Sequence, residues 1–294
     1  KKDKKNSSII IYSNKDKRSN LLNYDAVNKI LLKNKILAPV LLSKNYKKNF
    51  IEIQDFGNQT IFDILKKSKK NKIKIYKQII DLLKNLQSIK QKKIINFTYK
   101  KYTIPTYTTK ILENEAKLFS EWYIEKKLKK LDKKKFKKSY IKVIKKLIKK
   151  INLKNDTFVH RDFHISNLMM VKNEIGIIDS QDALIGNKAY DLASLIDDVR
   201  FKTSEKFKNE IFNFYLKKQK ISNRNYFKSD FDIISVLRNL KIIGIFTRLA
   251  YRDNKKKYLK LIPYAWSLIK LRSKNKDKFK DLNNLLNDLN NKNK

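Results

Sequence analysis

The chain has 294 residues, no cysteine, and a formal net charge of +43 from 71 basic against 28 acidic residues. Disulfides, thiolate metal sites and thiol redox chemistry are excluded, and the length suffices for one large domain or two lobes sharing a cleft. No apolar run approaches the ~20 residues that span a bilayer, and Lys1-Lys2-Asp3-Lys4-Lys5 lacks the apolar centre of a signal peptide, so a cytoplasmic protein with no membrane partner is expected.

Ser8-Ile9-Ile10-Ile11-Tyr12 reads as a short strand, and Leu21, Leu22, Tyr24, Val27, Ile30 and Leu31 recur at helical spacing from about Asn20 to Lys35, closed by Ala38-Pro39. Phe50 to Ile53 is a second strand, and Asp55-Phe56-Gly57-Asn58 is turn chemistry with a lobe boundary at about 53–58. From Thr60, which can cap a short helix, to about Ile151 the pattern is helical. Ile73, Tyr76, Ile79, Ile80, Leu83 and Leu86 make one stripe, and further helices run from about Thr109 to Leu131 and from Lys134 to Ile151. Phe158-Val159-His160 then leads into a polar turn. Leu168 to Val171 and Ile175 to Ile178 read as strands joined by the turn Lys172-Asn173-Glu174. Helices are expected after Gly186, up to a lysine- and asparagine-rich tail, 275–294, that frays.

The charge invites a nucleic-acid partner, but only 8 of the 71 basic residues are arginine and the lysines run along the whole chain. A binding footprint is clustered and mixed with arginine, so a solvated surface is the better reading and no specific nucleic acid is expected. One window departs from this background. Between Asp156 and Asp198 stand eight acids and three bases, and both histidines, His160 and His164, fall there too. Clustered carboxylates suit hard divalent cations, which prefer oxygen ligands.

Within that window His160-Arg161-Asp162-Phe163-His164-Ile165-Ser166-Asn167 fits H-x-D-x-x-x-x-N, and Asp179 ends the second strand of the hairpin. A hairpin returns the chain to its starting level, so Asp162, Asn167 and Asp179 meet at one mouth. Phosphoryl transfer needs such a set: one carboxylate for the attacking hydroxyl, and a carboxylate with an amide oxygen for magnesium across nucleotide phosphates. The competing reading is ordinary turn roles for Asp and Asn. His160, beside a buried strand, is read as holding the loop more than as moving a proton.

The segments from His160 to Asn167, from Gly176 through Asp179-Ser180-Gln181-Asp182 to Gly186, and from Ala189-Tyr190-Asp191 to Leu195 resemble the aminoglycoside phosphotransferase and choline kinase superfamily. Within it they look like the bacterial anomeric kinases of N-acetylmuramate and N-acetylglucosamine. Ile53 to Gly57, Leu118 to Tyr123, and Arg238 through Gly244 to Asp253 agree, so the resemblance runs from about residue 8 to about residue 270. It implies an α+β, protein-kinase-like fold of two lobes. Residues 1–56 would be a small β-containing lobe and 59–274 a large helical one carrying the catalytic loop 160–167. ATP and Mg2+ are the implied cofactors, and a small-molecule sugar or amino alcohol the implied partner. Asp162 would be the base, grouped with His160 and Arg161; Asn167 and Asp179 the metal ligands; Gln54, Asp55 and Phe56 the hinge facing adenine. Asp191 would brace the catalytic loop, its alternative being a plain carboxylate at a helix N-terminus.

Two departures from the family pattern stand out. Asp179-Ser180-Gln181 replaces the Asp-Phe-Gly of protein kinases, so activation-loop switching is not implied, and no glycine precedes Gly57. The strands and phosphate-covering turn that family members carry before this point are therefore expected to be missing, with Lys15 and Lys17 as candidates for the phosphate lysine. For the acceptor, Gln181 and Asp182 follow the metal carboxylate closely. Arg238, Lys241, Arg248 and Arg252 share a helical face that suits an acidic substituent or a phosphate, the alternative being a solvated stripe. Trp122 and Tyr123 either stack on a sugar ring or belong to the core. The expected activity is ATP-dependent phosphorylation of an amino-sugar hydroxyl in cell-wall sugar recycling. An aminoglycoside- or choline-type kinase, a non-catalytic kinase-like protein and a nucleic-acid-binding protein are the alternatives.

Overall fold

The computed structural model describes residues 7–67, 71–128 and 130–291. They form two compact units woven from alternating stretches of chain, Lys1–Thr106, Asn155–Leu195 and Asn209–Lys220 in the first and Tyr107–Lys154, Ile196–Lys208 and Ile221–Lys294 in the second. The helical lobe expected after residue 59 is thus shared between them, and the catalytic window up to Leu195 belongs to the first unit. The Lys1 to Lys5 segment lies outside the described residues.

In the first unit β1 (Ser8–Tyr12), β2 (Leu41–Asn45) and β3 (Phe50–Gln54) make an antiparallel sheet with β3 in the middle. Ile51 and Ile53 alternate on one face of β3 and are buried against Leu21 and Tyr24 of α1 (Ser19–Lys33) and against Phe97. Alternation on a strand meeting a helical stripe is what the apolar pattern dictates. β2 is absent from the sequence reading because its Leu-Leu-Ser-Lys-Asn is exposed or half-buried throughout. α2 (Ile61–Lys67) starts where Thr60 Oγ1 accepts from Asp63 N at 3.0 Å, as its cap chemistry predicts.

α3 (Lys72–Gln87) buries Tyr76, Ile79, Ile80, Leu83 and Leu86, the stripe read from the sequence. The expected helical stretch is then broken by a short hairpin of β4 (Lys93–Ile95) and β5 (Lys101–Thr103). Next in this unit come β6 (Asn155–Val159), the hairpin of β7 (Leu168–Val171) and β8 (Glu174–Ile177), and β9 (Leu184–Asn187), which pairs antiparallel with β6. The β7–β8 hairpin agrees with the sequence expectation; β9 carries no assignment in the sequence reading, which expects helices only after Gly186. α7 (Ala189–Ile196) follows, and the later part of α8 (Glu205–Lys218) closes the unit through Tyr215, whose hydroxyl donates to Gln87 Oε1 at 2.7 Å.

The second unit is helical. α4 (Thr109–Leu118) runs through a π-turn, Phe119–Tyr123, into α5 (Ile124–Lys127), and α6 (Lys130–Ile148) follows, so the break expected near 131–134 lies earlier. α9 (Arg224–Tyr251), α10 (Ile262–Ser273) and α11 (Lys280–Asn291) complete it. α9 is apolar on most sides because it is the centre of the core. At Gly244 a Cβ would lie 2.3 Å from the carbonyl carbon of Leu118, so only glycine lets α9 approach the end of α4 this closely. The tail expected to fray is instead α11, with Leu282, Leu286 and Leu289 buried beside Phe279. No helix among the described residues is long and apolar enough to cross a membrane.

Candidate active site

β6 delivers the chain into the catalytic loop, and the loop is fastened from below by Asp191 at the start of α7. Its carboxylate is fully buried and accepts from His160 N at 2.7 Å and from Arg161 N at 2.9 Å. Hydrogen bonds to a charged acceptor are each worth about 1.5–3 kcal/mol, and here they stabilise an Arg161 backbone with φ of 77°. Asp191 therefore has the bracing geometry expected of it, rather than serving only the α7 terminus.

His160 is fully buried, with its ring edge-on to Phe163 at 6.3 Å. Burial pulls its pKa down, partly offset by the charges of Asp162 and Asp179, which favours the neutral ring. His160 thus lies buried beneath the loop. Arg161 points elsewhere, to Asp182 Oδ1 at 3.7 Å. The β6–β9 register makes this contact: Val159 lies opposite Leu184, so the turn before β9 stands beside the catalytic loop.

The loop closes on itself before β7. His164 N donates to Asp162 O at 3.0 Å, and Asn167 N donates to His164 O at 2.8 Å. The Asn167 side-chain nitrogen donates to Asp162 O at 3.1 Å. Spending the amide nitrogen on a carbonyl leaves Asn167 Oδ1 as the group available to a cation. Ile178 N donates to Asn167 O at 3.1 Å, which sets the end of the β7–β8 hairpin beside the loop. Asp179 then adopts φ of 64°, and its exposed carboxylate accepts from Gln181 Nε2 at 2.9 Å. Gln181, expected at the acceptor, is turned toward Asp179.

Asn167 and Asp179 open into a cleft of about 490 Å³ within the first unit. Ile9, Ile11 and Ile53 of the sheet and Phe56, Met169 and Ile178 line it, with Gln54 and Tyr24 at its edge. An apolar slot between two layers of side chains, with oxygen ligands at one end, suits a purine ring with a polyphosphate and a divalent cation. Phe56 is held against β8, where a Cβ on Gly176 would stand 2.6 Å from its ring, so this glycine makes room for the wall of the cleft. Met170 N donates to Gln59 O at 2.9 Å and fixes the hairpin to the segment after the hinge.

Asp55 departs from expectation. Its Oδ1 accepts from Gly57 N at 2.7 Å and its Oδ2 from Ser7 Oγ at 2.7 Å, and these bonds hold its carboxyl below the usual range. Asp55 builds the turn, and Gln54 and Phe56 face the cleft. Lys15 and Lys17 form an exposed turn after β1 and are not among the lining residues, none of which is basic.

The acidic window divides by role. The charges of Asp162 and Asp179 both act on His160, Asp182 stands beside Arg161, and Asp191 holds the loop backbone from below. In the second unit Asp197 is buried in an ion cluster, and Asp198 accepts from Arg200 N at 3.0 Å. No group of three or more His, Cys, Asp or Glu among the described residues could hold a metal ion. Asn167 Oδ1 and the Asp179 carboxylate are oxygen donors of the kind a hard divalent cation takes, the rest of its shell being water or phosphate oxygen.

The arginine face of α9 is largely consumed inside the second unit. Arg238 is 6% exposed, Lys241 pairs with Glu115 at 2.9 Å, and Arg252 makes a forked pair with its neighbour Asp253 at 2.7 and 3.0 Å. Arg248, half-buried, adds its charge to that of Arg252 at Asp253. Tyr123 stacks on Phe119 at 5.3 Å and meets Trp266 edge-on at 5.8 Å, as a core residue does. Trp122, beside it in the π-turn, is half-buried.

The model of the phosphotransferase enzyme family matches residues 20–227. The N-acetylmuramate/N-acetylglucosamine kinase of Neisseria meningitidis serogroup B is 27% identical over 232 residues, covering 77% of this chain and 67% of that protein. The enzyme of the same name from Pseudomonas aeruginosa is 27% identical over 234 residues, covering 77% of this chain and 65% of the relative. The chain thus spans about two thirds of the length of these relatives. Among solved structures, amicoumacin kinase hAmiN in complex with AMP-PNP, Ca2+ and Ami superposes with a TM-score of 0.64 at 14% identity, covering 91% of this chain and 83% of that one. The architecture is accordingly that of the protein-kinase-like phosphotransferases.

Proposed function

The chain belongs to the phosphotransferase enzyme family and is a kinase, and on that premise we propose that it transfers the γ-phosphoryl group of ATP to an amino-sugar hydroxyl. The anomeric hydroxyl of N-acetylmuramate or N-acetylglucosamine is the acceptor, in cell-wall sugar recycling, as the names of the relatives at 27% identity support. The observation that carries the reading is the single cleft in which hinge residues Gln54 and Phe56 and the oxygen donors Asn167 and Asp179 meet.

Each residue has a separate task. Asp162 orients the acceptor hydroxyl and takes its proton as the oxygen attacks the γ-phosphorus and the bond to the β-phosphate oxygen breaks. Asn167 Oδ1 and the Asp179 carboxylate would hold Mg2+, which would supply neutralisation of charge on the phosphate oxygens. Ile9, Ile53, Phe56 and Met169 exclude water from the purine. Asp182, beside Arg161, faces the acceptor.

A panel of amino sugars, choline and aminoglycosides with magnesium-ATP tests the proposal. Turnover is expected on the amino sugars and should fall by about 10²–10⁴-fold in Asp162→Ala. Turnover only on the cationic acceptors overturns the acceptor assignment. Turnover indifferent to Asp162→Ala overturns the mechanism.

A further inference from the structure

Asp179 has an uneven foundation. Its carboxylate is exposed and its backbone sits at φ of 64°, a conformation that costs a residue other than glycine on the order of 1–3 kcal/mol unless its surroundings hold it. The next residue supplies the hold. Ser180 is fully buried, and its hydroxyl donates to Asn28 Oδ1 at 2.5 Å. Asn28 lies on α1, is 4% exposed, and donates its Nδ2 to Pro39 O at 2.9 Å. Both ends of the amide are engaged by groups of opposite polarity, so its orientation is fixed by its partners.

One turn earlier on the same helix face, Tyr24 lines the cleft that holds Asn167 and Asp179. Burial and, after it, the charge of Asp179 push the Tyr24 phenol up to about 12, with Asn28 acting in the opposite sense. α1 therefore reaches the metal end of the cleft twice, with Tyr24 at the wall and Asn28 at the residue after Asp179. The helix is itself fixed to β3 through Leu21 and Tyr24 against Ile51 and Ile53.

We infer that Asn28 is a positioning residue for Asp179, acting through the Ser180 hydroxyl, so that the placement of α1 sets the affinity of the site for its divalent cation. The inference rests on the kinase reading above, in which Asp179 holds Mg2+. Groups that orient a metal ligand without touching the metal change metal affinity by roughly 10–100-fold when removed. A buried hydrogen bond with a purely structural role would lower stability and leave cation dependence where it was.

The experiment measures binding of a fluorescent ATP analogue as a function of Mg2+, together with the Mn2+ dissociation constant by electron paramagnetic resonance, in the wild-type chain, Asn28→Ala, Ser180→Ala and the double variant. Each single variant is expected to weaken cation affinity by about tenfold, and the double variant by no more than either single one, because the two residues act as one unit. Ser180→Thr, which keeps the hydroxyl, should recover most of the loss. Folding is followed by thermal melting, and Tyr140→Phe, which removes a buried hydrogen bond to Ala116 O in the second unit, serves as a comparator that should lower the melting temperature alone. Cation affinities within twofold of wild type in both single variants overturn the inference. Absence of Mg2+-dependent nucleotide binding in the wild-type chain overturns the kinase reading instead, which keeps the two failures distinct.

Discussion

At the scale of single residues, the catalytic loop depends on buried groups beneath it more than on those that face the cleft. Asp191→Ala leaves one buried and one part-buried backbone N–H without acceptors, the buried one costing about 1–3 kcal/mol. The expected result is a clear fall in melting temperature and a loss of turnover larger than any change in the KM for ATP, because the loop geometry is what fails. His160 makes a second prediction. Its folded pKa lies below the ordinary 6.5, so the unfolded chain binds the extra proton and stability is full above that value. Stability should fall as pH drops below about 6.5, and His160→Gln should flatten that part of the profile in denaturant titrations. Asp191 and the Asp162, Asn167 and Asp179 spacing were legible because they lie within 30 residues in one acidic window of a basic chain. Asn28 and Ser180 were not, since their contact spans 152 positions and neither residue type stands out.

At the scale of elements, the readable ones had their own period or turn. The β7–β8 hairpin carried a turn between two apolar runs, and α3 carried an unbroken stripe. The missed strands β2, β4, β5 and β9 are three to five residues long, too short to show a period, and β4 and β5 are mostly exposed. α11 had its signal in Leu282, Leu286 and Leu289 at helical spacing, outweighed by the surrounding asparagine and lysine. Packing between elements gives a prediction of its own. Gly176→Ala must displace the Phe56 ring, since a Cβ there stands 2.6 Å from it. Overpacking of this kind costs about 1–3 kcal/mol, and here the displaced ring is a wall of the cleft. Nucleotide affinity should therefore fall along with the melting temperature, where a substitution at an exposed turn would change neither.

At the scale of the whole molecule, the second unit is held by a buried ion cluster. Asp197 accepts from Arg272 at 2.8 and 2.9 Å and from Ser235 Oγ at 2.6 Å, and lies 3.3 Å from Lys208 Nζ. Burial pushes the Asp197 carboxyl up, but Arg272, then Lys208 and Ser235, overcome it and hold the group at about 2. A lowered folded value means that the stabilisation is present above the ordinary 3.8 and is lost as pH falls toward 2. Asp197→Ala leaves two buried cations uncompensated and should cost about 3–5 kcal/mol at neutral pH. Urea unfolding of this variant should also lack the extra acid sensitivity of the wild-type chain below about pH 4.

The interleaving of the two units has a consequence for how the chain is made. A ribosome that has released everything up to Leu195 has delivered the sheet, the catalytic loop and most of α7, yet the Tyr215 hydroxyl that reaches Gln87 is still unsynthesised. The second unit waits longer, for Arg272 and then the leucines of α11. Domains that fold as they emerge need contiguous sequence, and contacts across long loops form late. A fragment ending at residue 195 is therefore expected to show weak amide protection in hydrogen exchange, whereas the whole chain protects α1, α3 and β6. The catalytic loop should therefore reach its native protection only once the residues through Tyr215 have been made.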